Sequence, residues 1–93
     1  MFVAASSSQF DRQIKKLQQR HADIVASYEE SIAVLETDPY NTSRAHPIKK
    51  LSDIPFGDGQ WRIKIDRYRI RYDIDGQTVI LRHIRDRKDV YRK

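Results

Sequence analysis

The sequence has no cysteine in its 93 residues. That excludes disulfide staples, thiolate metal sites and a thiol nucleophile. Glycine is scarce: Gly57, Gly59 and Gly76 are the only three. They cannot assemble a glycine-rich phosphate loop, so no nucleotide cofactor is expected. No apolar run approaches the ~18–20 residues of a membrane span. The opening MFVAASSSQF has neither a basic n-region nor a long apolar h-region, and the expected location is the cytoplasm. His21, His46 and His83 fall in three different elements without ligand spacing, so no metal site is expected either.

What remains suits one small domain. Charged residues make up 33% of the chain and apolar ones 39%, and five Tyr, three Phe and one Trp are enough to anchor a core. A chain this short hides only about 60–65% of its unfolded surface on folding, which leaves little room for a lid or a buried cofactor. The net charge of +5 is unevenly spread. Residues 1–46 carry five Lys/Arg against six Asp/Glu, whereas residues 47–93 carry thirteen against seven. A basic half raises the odds of a polyanionic partner, either nucleic acid or an acidic protein.

Phe2, Val3 and Ala4 make a short apolar start that reads as a strand. Ser6, Ser7 and Ser8 offer N-cap oxygens, and Phe10, Ile14 and Leu17 then recur at helical spacing, predicting a helix over about 8–20. A second helix begins near Ala22 or Asp23, with Ile24, Val25, Tyr28, Ile32 and Leu35 as its stripe and Pro39 beyond its end. Residues 40–59 have turn chemistry and no period, with Ile48, Leu51, Ile54 and Phe56 expected to pin them to the core. From Gln60 the period becomes two. Trp61, Ile63 and Ile65 alternate with Arg62 and Lys64, and Tyr68, Ile70 and Tyr72 alternate with Arg69 and Arg71. A third run, 78–84, follows the hairpin signal Asp75-Gly76. The chain reads β-α-α-β-β-β: an α+β fold with a helical hairpin packed on one face of a small antiparallel sheet.

Two-residue turns at Asp66-Arg67 and Asp75-Gly76 set a register. Lys64 then faces Arg69, Arg62 faces Arg71, Arg69 faces Arg82 and Arg71 faces Ile80. Bulky apolar residues sort to one side, with His83 on the Tyr68 side. The other side gathers Arg62, Lys64, Arg69, Arg71 and Arg82. Like charges across strands destabilise a sheet, and the favourable pairs they displace contribute ~0.2–1 kcal/mol each. A bound polyanion offsets that repulsion, and the planar fork of Arg suits phosphate. The alternative is that Asp66, Asp73 and the acids of the tail neutralise the face, or that a bulge disperses it. In the C-terminal run 85–93, Val90 and Tyr91 want a surface to pack on; Tyr91 is either an edge filler or a group that meets a nucleotide.

The stretch WRIKIDRYRIRYDIDGQTVILRHIRDRKDVYRK resembles the second half of the RelE/ParE toxin superfamily. Its members share a basic-alternating strand, a YR step, an acidic-Gly turn and a basic stretch closing on V-Y. The Ser-capped first helix with Lys15-Lys16-Leu17 fits too, so the likeness spans essentially the whole chain. The resemblance implies a toxin neutralised by a cognate antitoxin. In RelE-type members it implies a metal-free endoribonuclease that cleaves mRNA on the ribosome, the 2′-hydroxyl attacking the adjacent phosphate.

By motif position the resemblance gives Lys64 the general-base side and Arg69 the phosphate. Arg85 and Arg87 take transition-state or leaving-group roles, and Tyr91 stacks on the nucleotide or orients the 2′-OH. Arg62 belongs to the basic pair with Lys64 and is assigned to RNA binding. Arg71 and Arg82 lie outside the motif and are assigned to RNA backbone contact. Many relatives carry Gly at the position of Asp66 and His at that of Asp86, and an Asp beside a phosphate repels it unless an Arg pairs with it. Two other readings share the scaffold: a ParE-type inhibitor of DNA gyrase, and a non-catalytic RNA-binding module.

Overall fold

A computed structural model of the chain describes residues 1–88. Tyr91 therefore lies outside the described residues. The elements are β1 (Val3–Ser6), α1 (Ser8–Gln18), α2 (Ile24–Thr37), β2 (Ile48–Lys50), β3 (Trp61–Ile65), β4 (Tyr68–Asp75) and β5 (Thr78–Asp86). The strands form one sheet in the order β1-β5-β4-β3-β2. Only β1 runs parallel to its neighbour; the other pairs are antiparallel. The α+β architecture is the expected one, with β2 added from the segment that lacked a period. That strand is three residues long, too short to show an alternation.

Helix α1 starts where Ser7 Oγ accepts the Phe10 N–H, satisfying one of the donors that an N-terminus leaves unpaired. Helix α2 buries Ile24, Ser27, Ser31 and Leu35. Val25, expected on that stripe, is exposed, since the buried positions Ile24, Ser27, Ser31 and Leu35 recur at three- and four-residue spacing on a face that leaves it out. Ser31 Oγ donates to the Tyr28 carbonyl and Ser27 Oγ to the Asp66 carboxylate, so neither hydroxyl is buried unpaired. Phe10, Ile24, Leu35, Ile63, Tyr68, Ile70, Tyr72, Val79, Leu81 and Ile84 make the core between helices and sheet. Tyr68 donates its hydroxyl to Asp23 at 2.8 Å and Tyr72 donates to the Pro39 carbonyl at 2.7 Å. Burial, followed by the Asp23 bond, pushes the Tyr68 phenol up to about 12.

The β3–β4 register is the expected one: Lys64 faces Arg69, Arg62 faces Arg71 and Trp61 faces Tyr72. The β4–β5 register is not. Its turn residues are Gly76 and Gln77, since Asp75 faces Thr78, and a bulge intervenes between Arg71 and Tyr72. Arg71 therefore faces His83 rather than Ile80, and Arg69 faces Arg85 rather than Arg82. The inserted residue inverts the alternation of β5 beyond it. His83 turns away from the Tyr68 side onto the basic face, and Ile84 takes the core position.

Phe56, expected in the core, is exposed and lies over the Arg82 guanidinium at 5.5 Å. The 51–60 segment is held instead by a buried carboxylate. Asp73 accepts the N–H groups of Gly57, Gly59 and Gln60 and the Nε of Arg82, all within 3.2 Å. Gly59 is the one residue type that fits its place. Its φ is +82°, and a Cβ there would meet Arg71 Cβ at 2.8 Å.

Candidate active site

On the solvent face of the sheet, register places six side chains in two rows across three strands. One row is Lys64, Arg69 and Arg85; the other is Arg62, Arg71 and His83. Adjacent strands lie about 4.8 Å apart, so the cationic heads occupy a patch narrow enough for a single phosphodiester and its neighbours. The central strand supplies Arg69 and Arg71, flanked by β3 on one side and β5 on the other.

Two cavities open on this array. Leu51, Arg62, Arg69, Arg71, His83 and Arg85 line one of about 270 Å³. Lys64, Asp66, Arg67, Tyr68, Arg69 and Arg87 line a second of about 220 Å³. Arg69 belongs to both. Arg87, beyond the end of β5, is placed by its N–H, which donates to the Arg67 carbonyl at 2.7 Å. Arg71 is oriented by the 51–60 segment, its Nε donating to the Gly59 carbonyl at 3.1 Å. Of the cations expected on this face, Arg62, Lys64, Arg69, Arg71, Arg85 and Arg87 come together around the two cavities. Arg82 is drawn into the ion pair with Asp73 at 2.8 Å.

The acids near the array are tied to scaffold partners, Asp66 in the wall of the second cavity included. Asp86 faces Tyr68 on the helix side, where it pairs with Arg67 at 2.6 Å and His21 at 3.2 Å. Burial works to raise its pKa, but the Lys88 N–H and Arg67 overcome that and hold the carboxyl below its usual range. Asp66 sits at the turn with φ +53° and accepts the Ser27 hydroxyl at 2.5 Å. Asp73 likewise overcomes a burial that raises it, through Arg82 and its three backbone donors, and stays ionised. Asp66 and Asp86 are thus both bound to the scaffold.

His83 is the site residue that the sequence reading missed. It is half-buried, its Nδ1 is closed off from water without a hydrogen-bond partner, and the same holds for Arg62 Nε. Burial, then the charges of Arg71 and Arg85, push the imidazole pKa below its ordinary value. A signal was present in the spacing: Val79 and Leu81 are two apart, but the next core residue, Ile84, is three further on. Among the described residues no group of three or more His, Asp or Glu could hold a metal ion, and no helix is long and apolar enough to cross a membrane.

A mixed sheet backed by a helical pair, with cations crowded on its open face, defines a class that comparison with known families makes specific. The family model for the ParE toxin of a type II toxin–antitoxin system, parDE, matches residues 6–91. The chain belongs to that family, and is a toxin of a type II toxin–antitoxin system within the RelE/ParE superfamily. Among solved structures it is similar to the crystal structure of the RelB–RelE antitoxin–toxin complex from Methanococcus jannaschii. The two share 23% identity over 92% of this chain and 93% of that one, with a TM-score of 0.57. At that identity the likeness is one of fold. A comparison with curated proteins gives no match.

Proposed function

We propose that this toxin is a ribosome-dependent endoribonuclease that cleaves mRNA by attack of a 2′-hydroxyl on the adjacent phosphate, releasing a 5′-hydroxyl end and leaving a 2′,3′-cyclic phosphate. The observation that carries the reading is the two-row array, with Arg69 at its centre and shared by both cavities. Such chemistry needs preorganised positive charge where the phosphorane develops it, and fixed guanidinium groups supply that without reorganisation. Arg69 grips the phosphate from the middle strand. Arg85 beside it and Arg87 at the end of β5 stabilise the charge that builds on the phosphoryl and leaving oxygens. Lys64, across from Arg69, takes part in proton transfer, and Tyr91 stacks on the nucleotide or orients its 2′-OH. Arg62 and Arg71 hold the RNA backbone, while Arg82 acts on RNA only indirectly, by fixing Asp73 and the loop over Arg71. A translating ribosome as target places the toxin in the cytoplasm.

The partner that neutralises it is a cognate antitoxin, as in the RelB–RelE complex that shares this fold. A partner segment bearing acids complements the array. Induced expression followed by primer extension on a translated message tests the proposal, with cuts within codons expected for the native chain and lost in Arg69→Ala. Arrested growth with intact transcripts overturns it. The ParE name of the matching family favours a second reading, inhibition of DNA gyrase through a protein interface. Purified toxin that blocks gyrase supercoiling and leaves mRNA whole decides for that one. In a non-catalytic RNA-binding toxin, Tyr91→Phe leaves activity unchanged, whereas the nuclease loses much of its rate.

A further inference from the structure

From the bulge that turns it onto the basic face, and from its place in the lining of the cavity with four arginines, we infer that His83 is the general base that takes the proton of the attacking 2′-hydroxyl. The inference rests on the ribonuclease reading and specifies which residue of that site begins the reaction. Arg and Lys side chains in their cationic form carry donors and no acceptor, so the two rows otherwise offer nothing that can receive a proton. An imidazole with a free lone pair does. His83 lines the 270 Å³ cavity with Arg62, Arg69, Arg71 and Arg85; its Nδ1 is closed off from solvent, which leaves Nε2 as the nitrogen to receive the proton.

The electrostatics support the role. The groups bearing on the ring are Arg62 from β3, Arg69 and Arg71 from β4, Arg82 and Arg85 from β5, and Asp58 from the 51–60 segment. Burial and the neighbouring arginines lower the imidazole pKa, with Asp58 opposing them, so the ring is neutral at pH 7 and ready to accept. A phosphodiester seated on Arg69 and Arg85 brings negative charge that offsets those same arginines. The proton affinity of His83 then rises in the complex in which it must act. The step balances. The 2′-O–H proton passes to the imidazole, the 2′-oxygen bonds to phosphorus, and the P–O5′ bond breaks. The departing 5′-oxygen takes a proton from the Lys64 ammonium, on the opposite flank of β4. Lys64 is thereby the acid, and solvent returns the proton from His83 to Lys64 after release.

The test is single-turnover cleavage of mRNA on programmed ribosomes between pH 5 and 8, with native toxin, His83→Gln, His83→Ala and Lys64→Ala. Native toxin is expected to lose rate only on the acid side, as His83 becomes protonated in the complex. His83→Gln should fall by about 10²–10³-fold, within the range for lost acid–base catalysis, and should lose the acid limb while keeping its affinity for the ribosome. His83→Ala should regain rate with added imidazole, which a merely structural histidine would not show. Lys64→Ala should slow the reaction and keep the acid limb. Cleavage by His83→Gln at the native rate with the limb intact overturns the assignment and leaves the nuclease standing. Absence of cutting by the native toxin removes both.

Discussion

Asp73→Asn tests how the 51–60 segment is fastened over the array. Asp73 is fully buried, and its Oδ2 accepts from Gly57 N at 2.9 Å, Gly59 N at 3.2 Å and Arg82 Nε at 2.8 Å, while Oδ1 accepts from Gln60 N at 2.9 Å. An amide keeps one acceptor and turns the other into a donor. With its oxygen placed for Gly57, Gly59 and Arg82, its NH₂ meets the Gln60 N–H head on. An orphaned buried N–H costs about 1–3 kcal/mol. Removing one charge of a buried ion pair costs about 3–5 kcal/mol, much of it the uncompensated partner. These overlap, so the whole effect is about 3–5 kcal/mol, against a stability of ~5–15 kcal/mol for an ordinary domain. With a urea slope of about 1–2 kcal/mol/M, the unfolding midpoint should drop by about 1.5–5 M at constant slope. Arg82→Met removes the cation but leaves the carboxylate its three backbone donors, so it should lose less, about 1.5–3 kcal/mol. Circular dichroism during urea titration at pH 7 reads both. An Asp73→Asn midpoint within 0.5 M of native, taken as roughly the scatter of such midpoints, or a larger loss for Arg82→Met, refutes the anchoring argument.

Other outcomes follow from the same geometry. Gly59→Ala forces a Cβ to 2.8 Å from Arg71 Cβ at φ +82°; it should destabilise the fold by about 1–3 kcal/mol and displace Arg71, seen as a lower urea midpoint together with weaker RNA binding. Binding of a single-stranded RNA oligonucleotide should weaken with salt, each phosphate contact adding about 0.7 to the log–log slope. Arg69→Ala should lower that slope, and a slope near zero for the native chain refutes phosphate contact by the array. Stability should fall in two stages as pH drops. Because the folded-state pKa of His83 is depressed, the unfolded chain binds its proton first, so stability declines from about pH 6.5 down to that lowered value, and His83→Gln should abolish this stage. Below about pH 3.8 the lowered Asp73 and Asp86 carboxyls are ionised only in the folded chain, and their stabilisation is lost as pH passes through their folded values. Urea midpoints measured from pH 3 to 7 separate the stages.

The β3–β4 hairpin was legible because each strand alternates without interruption and one two-residue turn joins them, so six apolar residues could be matched in three pairs on one face. The β4–β5 hairpin misled through its turn. Asp75-Gly76 carries the strong signal, yet only Gly76 adopts positive φ, and the loop lies one residue later. With the bulge added, a reading from the turn outward placed Arg82 where Arg85 stands. The roles of Asp66 and Asp86 were equally hidden, since a carboxylate's partner is set by whichever helix packs above it. Ser27 and His21, which receive them, lie more than thirty residues away in the chain.

The sequence by itself determined the elements, the apolar face of each strand and the concentration of positive charge in the second half, because each depends on side chains only a few residues apart. Tertiary structure alone decided that His83 and Arg85 share a cavity with Arg69, that Arg82 is spent on Asp73, and that Asp86 turns toward the helices. The reason is that strand pairing repeats every two residues, so one inserted residue reverses every side chain beyond it, and whether the insertion is tolerated depends on long-range packing that no local window contains.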